Sequence, residues 1–133
     1  MKSALQGLSI ALVLAGCGVE KKPPFPVGTW LYEVDKPNGW HFESKTSVAS
    51  DGRYICHGVT MGTNQIPLAF EIEGTLEVRE GFVIDTMTKS SETNAPVPVT
   101  HRQRIVRMDG REMVLNSSHS WETNLLVFRK ISP

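Results

Sequence analysis

Leu68-Ala69-Phe70-Glu71-Ile72-Glu73-Gly74-Thr75-Leu76-Glu77-Val78 decides the fold. Leu68, Phe70, Ile72, Gly74, Leu76 and Val78 alternate with Ala69, Glu71, Glu73, Thr75, Glu77 and Arg79. Side chains along a strand point to opposite faces, so a period of two with one acidic face specifies a half-buried antiparallel strand. Working outward, residues 29–34, 40–50, 53–62, 82–90, 99–108, 112–117 and 124–131 carry weaker strand patterns. No segment sustains a helical period. The reading is all-β, with about eight strands.

The turns arrange those strands. Ser50-Asp51-Gly52, Arg79-Glu80-Gly81 and Met108-Asp109-Gly110 are tight, and their glycines are evenly spaced. The connections between them are longer: 35–39, 63–66, 91–98 and 118–123. In an up-and-down meander successive connections fall on opposite ends. All tight turns therefore share one end, the base, and all longer loops share the other, the rim. Closing the sheet into a single small antiparallel barrel removes its two exposed edges.

With Leu68, Phe70 and Ile72 inward, the base is expected to hold Val48, Tyr54, Leu76, Val78, Phe82, Ile84, Ile105 and Met113. Toward the rim the expected inward set is Ser44, Thr60, Thr86, Thr88, His101, Gln103 and Ser117, mixed with Trp40, Phe42, Leu68 and Phe70. Polar groups among aromatics at a mouth are what a small-molecule site uses to orient its ligand. The candidate ligand-binding residues are therefore Trp40, Phe42, Ser44, Thr60, Phe70, Thr86, Thr88, His101, Gln103 and Ser117. A filled barrel, in which these hydroxyls meet water or one another, fits the same pattern. The inward phase of residues 53–62 and 124–131 is ambiguous, because both faces are apolar.

Gly28-Thr29-Trp30 on the first strand and Arg129 on the last resemble the Gly-x-Trp and late Arg of lipocalin-type barrels. Asp51-Gly52-Arg53-Tyr54 and Val127-Phe128-Arg129 resemble small bacterial lipocalin-like domains. The resemblance covers residues 28–131 and implies that Trp30 closes the base with Arg129 packed over it. The chain has no Thr-Asp-Tyr motif and no long C-terminal helix, and its domain is short, so a capacious pocket does not follow.

At the N-terminus, Met1-Lys2 precedes an apolar run from Ala4 to Leu14, too short to span a bilayer as a helix. It ends in Leu14-Ala15-Gly16-Cys17, which closely resembles the lipobox of bacterial lipoprotein precursors. That resemblance implies a signal peptide over residues 1–16, cleavage before Cys17, and acyl chains carried on Cys17. Two or three such chains make membrane attachment practically permanent. Gly18, rather than Asp, follows the cysteine, as in the outer-membrane class facing the periplasm; a Gram-positive origin stays open. Residues 17–27 form a Pro-rich linker that could hold the domain on the order of 30 Å from the lipid. Residues 28–133 form the barrel, whose base faces the membrane and whose rim faces away from it.

Of the two cysteines, Cys17 is assigned to lipid, which leaves Cys56 alone as a small hydrophobe on a strand. The formal net charge is +0 and no basic stripe exists, which argues against nucleic acid. His41, His57, His101 and His119 show no metal-ligand spacing, and no metal or cofactor is expected. Glu71, Glu73, Glu77, Arg102 and Arg104 read as solvated outer-face charges. Ser117-Ser118-His119-Ser120 lacks a nucleophile elbow, so no enzymatic activity is expected. Two functions remain: a small amphipathic ligand bound at the membrane-distal mouth, or a protein-interaction module, an envelope assembly factor or a hydrolase inhibitor, that binds an envelope protein through the rim loops. Asn38, Trp40, Asn64, Asn94, Pro96, Pro98 and Trp121 would supply the second, unless both tryptophans fold over the mouth as a lid.

Overall fold

The computed structural model describes residues 25–64, 66–117 and 125–133. Cys17, the signal peptide, most of the linker, His119 and Trp121 lie outside these residues. Eight strands run in order: β1 (Gly28–Asp35), β2 (His41–Val48), β3 (Arg53–Met61), β4 (Leu68–Arg79), β5 (Phe82–Ser90), β6 (Val99–Met108), β7 (Glu112–Ser117) and β8 (Leu125–Ser132). Each pairs antiparallel with its neighbours in sequence, and β8 returns to β1, giving a closed up-and-down barrel of the small lipocalin-like kind. There is no helix among the described residues.

The tight turns gather at one pole. Glu80 and Gly81 form a two-residue hairpin loop, with φ of 54° and 80°. Positive φ at both positions matches the twist of the flanking strands, and glycine tolerates it without strain. At the third turn Asp109 Oδ1 accepts from the amides of Arg111 and Glu112, at 2.7 and 2.8 Å, so a side chain closes this bend. A carbonyl of each turn also accepts from the strand after its hairpin. Leu76 N donates to Gly52 O, Ile105 N to Gly81 O and Lys130 N to Arg111 O, at 2.7 to 2.8 Å. These bonds tie the base into a continuous ring.

The core sits just inside that ring. Trp30, Val83 and Leu115 are almost fully buried, with Val48, Tyr54 and Met113 beside them. The chain before β1 belongs to this packing: Pro26 is fully buried and its carbonyl accepts the Trp30 indole N–H at 3.0 Å. Phe25 packs against the same cluster.

Two sequence expectations about the base change. Arg129 is exposed on the outer wall, in register with Leu31. The cation over the Trp30 ring is Lys130, whose Nζ lies 5.7 Å from the ring centroid, because the β1–β8 register pairs Trp30 with Lys130. On β5 the inward set is Val83, Asp85 and Met87, not Phe82, Ile84, Thr86 and Thr88. The two-residue loop pairs Arg79 with Phe82 and Val78 with Val83, so inward Val78 brings Val83 inward with it. Phe82 lies outside, its ring 3.9 Å from the Arg102 guanidinium carbon.

Candidate functional site

Inside the barrel, above the Trp30–Leu115 floor, lies a cavity of about 260 Å³. Its size is just under the roughly 300–1,000 Å³ usual for small-molecule sites, as suits an eight-stranded barrel with room for one small ligand. Trp30, Tyr32, Ile72, Val83, Leu115 and Phe128 supply apolar wall. Ser44, Thr46, Tyr54, Cys56, Asp85, His101 and Gln103 supply polar groups.

The polar side is organised around Asp85. The Tyr54 hydroxyl donates to Asp85 Oδ1 at 2.5 Å. Tyr54 is on β3 and Asp85 on β5, so this bond crosses β4. It can do so because Gly74 stands opposite Tyr54: a Cβ there would lie 2.7 Å from the Tyr54 oxygen and 2.2 Å from Thr86 O. Burial pushes the Asp85 carboxyl above the usual carboxylate range, while the Tyr54 hydrogen bond and the nearby His101 act the other way. His101 is the register partner of Asp85 across β5–β6. The Tyr54 phenol is raised far above its ordinary range, first by burial and then by the carboxylate it serves. Burial likewise raises the Cys56 thiol, against hydrogen bonds with Thr46 and Ser44. Among the described residues no buried side-chain polar atom lacks a partner.

Toward the rim, an aromatic arc covers one side of the mouth. Phe128, Tyr32, Phe42 and Phe70 follow one another with ring centroids 5.3, 5.9 and 5.6 Å apart. Phe70 on β4 reaches Phe42 on β2 by lying across Gly58 of β3, where a Cβ would come within 2.0 Å of the ring. Gly58 and Gly74 thus serve one purpose. Each is an inward position left empty so that an aromatic can cross a strand.

The sequence-expected site residues divide accordingly. Ser44, His101 and Gln103 line the cavity. Phe42 and Phe70 form the arc above it. Trp40 sits at the rim with its ring against Gly62, 3.2 Å from where a Cβ would be. Thr60 and Ser117 are half-buried near the rim, outside the cavity lining, with Ser117 in register with Gln103. Leu68 has the expected phase but stands 63% exposed at the strand's open end.

Thr86 and Thr88 face the outer wall, contrary to expectation. Thr86 Oγ1 meets Thr100 Oγ1 at 3.1 Å, and Thr88 Oγ1 donates to Glu73 O at 3.3 Å. Thr88 is the extra residue of a bulge, since Glu73 pairs with Lys89 and Gly74 with Met87. Sequence reading missed Tyr32, Thr46, Cys56, Asp85 and Met87. The signal for Asp85 was the Glu80-Gly81 loop, which fixes Val78–Val83 as a pair and puts Asp85 on the inner face two residues later.

Two features lie outside the barrel. A groove of about 670 Å³ crosses the outer wall past Thr29, Ser47, Ile55, Thr75 and Thr88, but it is open to solvent and excludes little water. Donor atoms of Glu33, His41 and Glu43 lie within 4.8 Å of one another on the β1–β2 hairpin. His41 Nδ1 is 2.7 Å from Asp35 Oδ1, and this bond raises the His41 pKa.

The chain matches no family model and no curated protein.

Proposed function

We propose that this chain is an acyl-anchored envelope lipoprotein whose barrel binds one small amphipathic ligand, entered from the membrane-distal mouth. The observation that carries the binding reading is the interior cavity with polar groups on one side and apolar wall on the other. A barrel built only for stability would fill that space, because an empty void forfeits contacts on every side. The anchor rests on Leu14-Ala15-Gly16-Cys17, and Gly18 favours the outer membrane facing the periplasm. The direction of the mouth rests on Phe25 and Pro26, which enter the barrel at its tight-turn pole. This reading needs no catalytic step, metal or cofactor.

A second reading keeps the rim as a docking surface for an envelope protein. Ile66 and Leu68, 85% and 63% exposed on and beside the β3–β4 connection, favour it. Native mass spectrometry of the protein purified from its own envelope separates the two. A small mass retained by the folded chain and released on denaturation supports the ligand. A co-purifying protein with no small mass supports the rim. Labelled-palmitate uptake tests the anchor: it should vanish in Cys17→Ser, and persistence refutes that site.

A further inference from the structure

Asp85 is the one carboxylate lining the cavity among the described residues, and no Lys or Arg lines it. The cations nearest the interior are otherwise engaged or indirect. Lys130 lies over Trp30 beside Gly28, at the base. His101 is a cavity neighbour of the carboxylate itself. The Tyr54 hydroxyl holds one carboxylate oxygen, Oδ1, and thereby fixes the group's orientation. The same cavity presents the rings of Trp30, Tyr32 and Phe128. An acid held in place among aromatic faces is the arrangement that attracts a positive charge, through charge-assisted hydrogen bonding and through the ring quadrupoles.

We infer that the cavity recognises a small organic ammonium ion, with its N–H donors on Asp85 and its apolar body against Trp30, Tyr32 and Phe128. The inference rests on the reading above that the cavity is a ligand site, and it names the ligand's class. An anionic ligand would meet Asp85 with no Lys or Arg to offset the repulsion. A neutral one would leave the buried carboxylate with no ionic partner beyond its neighbour His101, which is less favourable than a direct ammonium contact. Burial already opposes ionisation of Asp85, and a bound ammonium would reverse that balance.

The test uses the full chain in zwitterionic nanodiscs and three probes of one shape: benzylamine, protonated at neutral pH, benzyl alcohol and benzoate. Binding is read from the methyl resonances of Met87 and Met113, which line the cavity. A hydrogen bond to a charged group predicts that the amine binds at least about tenfold tighter than the alcohol, with benzoate weakest. In Asp85→Asn the amine-to-alcohol ratio should fall to about one. Tyr54→Phe keeps the carboxyl group but releases its orientation and disfavours its ionised form, so there the ratio should fall part of the way toward one. This variant carries the test if Asp85→Asn does not fold. Equal or tighter binding of the alcohol or benzoate overturns the ammonium inference and leaves the small-ligand reading standing. So does a ratio that survives Asp85→Asn or stays at the native value in Tyr54→Phe. Failure of all three probes to move either methionine overturns both.

Discussion

Gly58→Ala should destabilise the barrel by about 1 kcal/mol, and should turn stabilising once Phe70 is removed. The added Cβ would lie 2.0, 2.3 and 2.7 Å from three atoms at the far edge of the Phe70 ring. That ring can swing toward the solvent at the rim, so the cost is its lost packing rather than backbone strain. Full burial of a Phe is worth roughly 1.5–3 kcal/mol, and half-buried Phe70 gives up about 1. Losing the stack on Phe42 adds about 1 kcal/mol. Against this, alanine is favoured over glycine within a strand by roughly 0.5–1 kcal/mol. In a Phe70→Ala background only the favourable part remains, so the sign reverses. Urea denaturation of the native chain, both single variants and the double variant gives the coupling directly, expected at about 2 kcal/mol. If Gly58→Ala has the same effect in both backgrounds, Phe70 does not lie across β3 and the aromatic arc is wrong.

Three further outcomes follow from the same geometry. Tyr54→Phe removes the donor to Asp85 Oδ1, so the Asp85 carboxyl should titrate still higher by carbon NMR, with a loss of about 1–2 kcal/mol at neutral pH; an unchanged titration contradicts the bond. Because burial raises the folded-state pKa of Asp85, the associated stability is full below about pH 4 and is lost as pH rises through the folded value. Tyr54 and Cys56, both raised by burial, stay protonated over this range, and the opposing effect of His101 does not overturn the upward shift of Asp85, so Asp85→Asn should be more stable relative to the native chain at pH 7 than at pH 4; a flat or reversed difference refutes the buried acid. Val83→Ala should cost about 2 kcal/mol and Ile84→Ala less than about 1, since Val83 is 3% exposed and Ile84 is on the outer face; equal costs contradict the β5 phase.

What the sequence revealed and what it hid have physical reasons. The barrel was legible because β4 alternates over its whole length and the turns carry Gly52, Gly81 and Asp109 where hairpins need them. Parity then put the chain's entry at the tight-turn pole, and Phe25, packed on the basal core, agrees. The candidate site was only partly legible. Ser44, His101 and Gln103 were found because β2 and β6 keep a clean alternation across the cavity. Asp85 was hidden by a phase error of one residue. Phe82 and Ile84 look like core, yet Phe82 serves as an outer platform for Arg102, and on a strand such a slip exchanges every side chain between faces. The bulge at Thr88 could not be read from pattern, because it shows only when β4 and β5 are paired. Arg129 was misplaced for a similar reason. Leu125 and Val127 on one face of β8 and Leu126 and Phe128 on the other are equally apolar, so only the pairing of Trp30 with Lys130 sets the phase.

The central claim is that ligand occupies the barrel interior. Methionine methyl NMR of the full chain, titrated with a small-molecule extract of its own envelope, tests it most directly. Met87 and Met113 report the cavity, and Met61, 38% exposed at the rim end of β3, reports the loops. Saturable shifts of Met87 and Met113 with Met61 still are the predicted result. Shifts confined to Met61, or none at all, would contradict it.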